Sequence, residues 1–201
     1  MPPPYPVHWP WRTLELLIRA MQLLGFPALL MGLNRLFKPN TRALRDTELA
    51  LARSVFGQQI AYERVRIDAR AQLMCRRKGM AYVAFNVINA WGELSAPHFI
   101  HEMVHIWQYQ RFGAVYIPRA LYAQRTAMGY NYGGPLVLQN AADDGKSLLD
   151  FNYEQQADIV ADYFCLKNGL RPRWCSGNVQ YLPVFEKLIR RAGIDLQPFA
   201  S

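Results

Sequence analysis

No CxxC pair occurs in this sequence, and its cysteines (Cys75, Cys165 and Cys175) are odd in number. Neither a disulfide framework nor a cysteine-ligated zinc ribbon fits that pattern. Buried free thiols are expected, with a Cys165–Cys175 bridge as the alternative. Acidic residues are also short: 15 Asp and Glu stand against 23 Lys and Arg, a net charge of +8. Such a balance favours anionic surfaces. The basic residues are scattered or grouped as in "RRK" at 76–78, and no nucleic-acid recognition motif accompanies them, so no specific nucleic-acid partner is expected.

A long apolar run is missing too. The leucine-rich stretch "LELLIRAMQLLGFPALLMGLNRLF" is interrupted by Glu15, Arg19 and Arg35 and broken by Gly25 and Pro27. It makes a poor membrane span and reads instead as two amphipathic helices that pack on the domain or dock on a partner or a bilayer surface. Ahead of it, "MPPPYPVHWPWR" has no basic segment leading into an apolar one, so it is not read as a secretory signal and the chain is expected in the producer's cytoplasm.

What is present suits a folded domain: 201 residues, 51% hydrophobic and 19% charged, with no internal repeat or interdomain linker. Residues 1–40 read as a proline-rich arm with apolar helices at 11–24 and 28–37, and residues 41–201 as one domain. A helix is expected over "TRALRDTELALARSVFG", capped by Thr47 and stopped by Gly57. "IAYERVRID" alternates imperfectly and predicts an irregular strand, and "GMAYVAFNVINAWG" predicts a better one. Residues 114–150 read as loop-rich, with "YNYGGP" and "AADDGKS" as turns. Helices follow over "FNYEQQADIVADYFCLKNG" and, despite Pro183, "VQYLPVFEKLIRRAG".

The chemistry centres on "SAPHFIHEMVHIWQYQRFG", a helix with Ser95 as N-cap, Pro97 in the first turn and Gly113 as stop. Spacing of i and i+4 puts His101 and His105 on one face, within reach of one ion. Glu102 then lies beside the metal, where a carboxylate takes a proton from water. Around them the helix is apolar or aromatic (Phe99, Ile100, Met103, Val104, Ile106, Trp107), so the polar residues need partners, and a metal would supply them.

A catalytic zinc needs a third protein ligand. His8 lies in the arm and His98 in the capped first turn, so the candidates are the downstream acids Asp143, Asp144, Asp150, Glu154, Asp158 and Asp162. Glu154 is chosen because it stands four residues before Asp158 on one helix face. One carboxylate then binds the metal while the other holds a ligand histidine from behind. Asp162 continues that face as an outer partner or a solvated acid. Tyr130 and Tyr132 are the candidate donors to a developing oxyanion, and the 80–90 strand could align an extended peptide.

HExxH followed by ExxxD on a second helix is similar to the gluzincin pattern of thermolysin-like peptidases. More closely, "FIHEMVHIWQYQ" with "FNYEQQADIVADYF" resembles the Vgr-related metallopeptidases of bacterial type VI secretion systems, which occur alone or as the C-terminal domain of VgrG spike proteins. "LRDTELALARSVFGQQIAYERVRI" resembles that family as well, so the likeness extends over about residues 41–169. The resemblance implies zinc held by His101, His105 and Glu154, with Glu102 as base. From the residues themselves, Tyr132 is the catalytic candidate for the oxyanion donor and Asp158 the partner behind a ligand histidine. It also implies a secreted effector that cuts peptide bonds. The expected fold is α+β, a mostly helical zincin-like domain with a small antiparallel sheet beside the HExxH helix. The expected partners are a peptide or protein substrate and, through the N-terminal helices, a spike protein or adaptor. Delivery to a target-cell envelope is expected. The alternatives are a catalytically silent adaptor and a cell-wall peptide hydrolase.

Overall fold

A computed structural model describes residues 9–25, 41–76 and 79–196. Residues 1–8 of the proline-rich arm and the helix expected at 28–37 lie outside these residues, while Trp9 and Pro10, expected in the arm, open the first helix. Helix α1 (Trp9–Leu23) comes first, then α2 (Asp46–Phe56) and three short strands: β1 (Arg66–Asp68), β2 (Tyr82–Ala84) and β3 (Val87–Asn89). Next are α3 (Ala96–Phe112), α4 (Tyr116–Ala123), α5 (Pro135–Asp143), α6 (Tyr153–Lys167) and α7 (Leu182–Arg191). The class is α+β, mostly helical with a small sheet beside α3, as expected.

The sheet is mixed, not antiparallel throughout. β3 is central, pairing parallel with β1 (Ile67 opposite Ile88) and antiparallel with β2 (Val83 opposite Ile88). The single strand read at 80–90 is a tight hairpin, turned at Phe85, whose φ of 59° is left-handed. β2 is left as an edge, and it faces the cavity described below.

α3 and α6 lie against each other through the middle of the molecule. Every residue from Phe99 to Gln108 and from Tyr153 to Leu166 is buried. Helices apolar on one side only would sit at the surface, whereas these two are enclosed on all sides. Ile100, Met103, Val104 and Ile106 of α3, with Ala157, Ile159, Val160 and Phe164 of α6, belong to one core cluster. Each large side chain buried this way contributes about 1.5–3 kcal/mol. Enclosure also takes His101, Glu102, His105, Gln108, Glu154, Asp158 and Asp162 out of water, so each must find a partner.

Local signals set the helix ends. α6 starts at a capping box: Asn152 Oδ1 accepts from the N–H groups of Glu154 and Gln155, and Gln155 Oε1 accepts from Asn152 N–H. α3 stops at Gly113, whose φ of 75° favours glycine and where a side chain would run into Gln22 of α1. α2 begins two residues earlier than a Thr47 cap requires, because Glu48 accepts from Arg45 N–H and also pairs with Arg42 at 2.7 Å. The 114–150 region is not a plain loop. It holds α4 and α5, which begin close behind Val115 and Gly134 with Pro118 and Pro135 in their first turns. Pro183 is likewise in the first turn of α7, where its missing N–H costs nothing. All three cysteines are free thiols.

α1 packs with its acid inward. Glu15 is 8% exposed and makes a bidentate pair with buried Arg119 of α4, at 2.8 and 3.0 Å. Leu16, Leu17 and Leu23 of the same helix, and Leu24 just after it, remain exposed.

Candidate metal centre

The site lies where α3 crosses the first turns of α6. His101 Nδ1 is 2.6 Å from Asp158 Oδ1, and His105 Nδ1 is 2.8 Å from Gln108 Oε1. Those acceptors fix both rings with Nδ1 as the donor and leave each Nε2 free to ligate. Gln108 is itself held, because its Nε2 donates to Tyr153 O and Gln156 Oε1. Both free Nε2 atoms face one oxygen: Glu154 Oε2 is 3.4 Å from His101 Nε2 and 3.5 Å from His105 Nε2. Zinc–ligand bonds of about 2.0–2.1 Å in a tetrahedron set neighbouring ligand atoms about 3.3 Å apart. Among the described residues, His101, His105 and Glu154 form the one group of His, Cys and acidic side chains gathered closely enough to hold an ion, with all ligand atoms within 4.8 Å.

Two buried side-chain oxygens among the described residues lack a hydrogen-bond partner, Glu154 Oε2 and Glu102 Oε2. Leaving a buried carboxylate oxygen unpaired costs about 1–3 kcal/mol or more. An ion for the first and a water for the second would relieve that cost. The donor set of two imidazoles and a carboxylate suits zinc. Glu154 Oε1 accepts from Gln124 Nε2 at 2.9 Å, so its other oxygen is the one turned to the histidines. Glu102 Oε1 lies 3.4 Å from Nε2 of partly exposed His98.

The charges of His101, His105 and Glu154 depend on one another. Burial opposes a charged His101, but the bond to Asp158 and the neighbouring carboxylates of Glu154 and Glu102 outweigh it and raise the imidazole to about 10. His105 moves up in the same way: burial is overcome chiefly by Glu154. Burial works to raise Glu154, yet His105 and His101 together hold its carboxylate well below the usual range.

Behind the two histidines and Glu154 the acids are buried. Asp158 Oδ2 accepts from Trp174 Nε1 at 2.6 Å and lies 3.3 Å from an Arg173 guanidinium nitrogen. Asp162 is not a solvated acid: it accepts from the N–H groups of Arg173 and Trp174 and from Tyr132 Oη. This last bond takes Tyr132, 1% exposed, away from the centre, and it does not line the cavity. Tyr130 does line it, with its ring 6.0 Å from that of His101. Burial and the acids Glu154 and Glu102 keep the Tyr130 hydroxyl protonated far above its usual range, so it remains a donor. Tyr116 stacks on His105 at 6.0 Å and donates to Val83 O, which couples the site to the edge strand.

Sequence reasoning brought together His101, Glu102, His105, Glu154 and Asp158, and the structure gathers those five. It missed Gln108, Gln124 and Trp174. Gln108 carries a signal, since an amide three residues after a ligand histidine lies on the same helix face. Gln124 and Trp174 reach the site from elements whose packing no spacing reveals.

The centre opens into a cavity of about 770 Å³ between the β2 edge and α4. No helix among the described residues is long and apolar enough to cross a membrane.

Among known proteins, the chain is 35% identical over 140 residues to the type VI secretion system spike protein VgrG2b of Pseudomonas aeruginosa. The match covers 63% of this chain and 13% of the relative, so the chain spans only a small part of that protein's length. No family model and no solved structure matches it. The likeness links the chain to the Vgr-related proteins of type VI secretion.

Proposed function

We propose that this protein is a zinc-dependent peptidase of the type VI secretion apparatus. The observation that carries the reading is the convergence of two ring nitrogens on one unpaired Glu154 oxygen, with an unpaired Glu102 oxygen beside them. A zinc ion held by His101, His105 and Glu154 would acidify a water and polarise a carbonyl. Glu102 accepts the proton of the attacking water and returns it to the leaving amine. Tyr130 donates to the carbonyl oxygen as negative charge develops there. Asp158 and Gln108 hold the ligand imidazoles in the tautomer that presents Nε2. The unpaired edge of β2 offers main-chain partners to an extended peptide in the cavity.

A purely structural metal site has no use for a buried, unpaired Glu102, which disfavours a silent adaptor. The likeness to a spike protein supports delivery by the secretion apparatus to a target-cell envelope, with the exposed leucines of α1 as the face for a spike or adaptor. The substrate there is an envelope protein or a cell-wall peptide. The test is cleavage of a fluorogenic peptide library by the purified protein. Activity that disappears with a chelator and returns with one equivalent of zinc is expected. Cleavage indifferent to the chelator would refute the reading.

A further inference from the structure

Beyond α6 the chain turns and comes back along residues 171–174, where two acids of α6 fasten it. Asp162 takes the backbone N–H of Arg173 at 2.6 Å and of Trp174 at 2.9 Å. Asp158 takes the Trp174 indole N–H and a guanidinium N–H of Arg173. The Arg173 guanidinium also lies over two rings, 5.2 Å from the centre of Tyr130 and 4.9 Å from that of Trp174. Held at backbone, charge and π-face, it is oriented before a ligand arrives, so binding costs little side-chain entropy.

Arg171 and Arg173 both line the cavity, and no other lining residue carries a permanent positive charge. Arg173 gives one N–H to Asp158 and still keeps 58% of its side chain exposed. Arg171 is exposed and makes no ion pair among the described residues, so its charge is uncommitted. The cavity's other charged groups are Glu102, Glu154, Asp158, Asp162 and the histidines. Asp158 and Asp162 are buried and already bonded, so an anionic ligand group is disfavoured beside Glu102 and Glu154 and favoured at the exposed guanidinium groups of Arg171 and Arg173. A guanidinium fork matches a carboxylate with two parallel hydrogen bonds.

We propose that Arg171 and Arg173 form a carboxylate-recognition subsite, so that the preferred substrate is a peptide with a carboxylate close to the bond that is cut. This rests on the peptidase reading above. The carboxylate comes from an acidic side chain or from a free C-terminus, and Arg171, with no other partner, supplies the larger share of the selectivity.

Four short peptides separate the two sources: one internal Glu or Gln, each with a C-terminal acid or amide. Their binding to purified, zinc-supplemented Glu102→Gln protein is read by fluorescence anisotropy of a label on each peptide, and their cleavage by the wild type is read by mass spectrometry. The carboxylate-bearing peptides should bind about tenfold tighter, the usual size of one charged hydrogen bond. The arm that shows the gain, Glu over Gln or acid over amide, identifies the source. Arg171→Gln should remove most of the preference, and Arg171→Lys, which keeps the charge but not the fork, should retain part of it. Equal binding of all four peptides would overturn the proposal. So would a preference that survives Arg171→Gln combined with Arg173→Gln, because the carboxylate would then sit elsewhere. A carboxylate preference without any cleavage would leave the subsite standing and remove the peptidase reading. Cleavage without a preference would do the reverse.

Discussion

His101 and Glu154 illustrate how little freedom a buried polar side chain has. His101 touches a carboxylate with each ring nitrogen, and Glu154 spends one oxygen on Gln124 and turns the other toward the histidines. Glu154→Ala should therefore lower zinc stoichiometry from one per chain to near zero, while Asp143→Ala, on the exposed end of α5, should leave it at one. Full zinc in Glu154→Ala by elemental analysis would mean the third ligand is another residue. Asp158→Asn keeps the shape but weakens the grip on His101 Nδ1, and should cost about tenfold to a hundredfold in zinc affinity.

The two tyrosines divide at the same scale. Tyr132 and Tyr130 are two residues apart and chemically identical, so the sequence could not separate them; the packing of residues 171–174 does. Tyr132→Phe removes a buried bond to Asp162 and should destabilise the fold by about 1–3 kcal/mol, with kcat changed little. Tyr130→Phe should leave stability nearly unchanged and lower kcat about a hundredfold, the usual loss of an oxyanion donor. Denaturation curves and peptide turnover on both variants check the pair, and a kcat loss confined to Tyr132→Phe would reverse the assignment.

At the scale of elements, the ligand helices were legible because their signals are local. Ser95, Pro97 and Gly113 bound α3, and the four-residue spacings in α3 and α6 place ligands on one face whatever surrounds them. The sheet was harder to read, since strands of three residues are too short to show alternation and Phe85 turns the hairpin without a glycine or proline signal. α4 and α5 were hidden for a related reason: each is shorter than a periodic pattern needs, and the glycines and prolines around them signal turns as strongly as helix starts. α1 was legible as a helix but not in its packing, because its hydrophobic residues lie on several faces and the inward one carries Glu15 beside Trp11 and Ile18.

That packing carries a prediction. Arg119, 4% exposed, binds Glu15 and also Tyr153 Oη at 3.1 Å, next in sequence to Glu154. Glu15→Ala strands this charge and should cost about 3–5 kcal/mol, whereas Glu15→Met with Arg119→Met should recover most of it. Chemical denaturation of the single and double variants measures both. A loss under 1 kcal/mol in Glu15→Ala would mean that α1 is not seated on α4.

Across the whole molecule, two enclosed helices carry acids and histidines that water no longer solvates, and the chain satisfies nearly all of them internally. Among the described residues, the two oxygens left unpaired are those of Glu154, the proposed third ligand, and Glu102, the proposed base. A basic chain of +8 encloses this acidic centre, and its likeness to a spike protein links it to type VI secretion. The measurement that bears most directly on this account is peptide turnover by Glu102→Gln, with zinc content determined on the same sample. The amide matches the carboxylate in shape but cannot accept the proton of water. One zinc per chain and turnover reduced at least a thousandfold are predicted. Undiminished cleavage by a zinc-loaded Glu102→Gln protein would contradict the account.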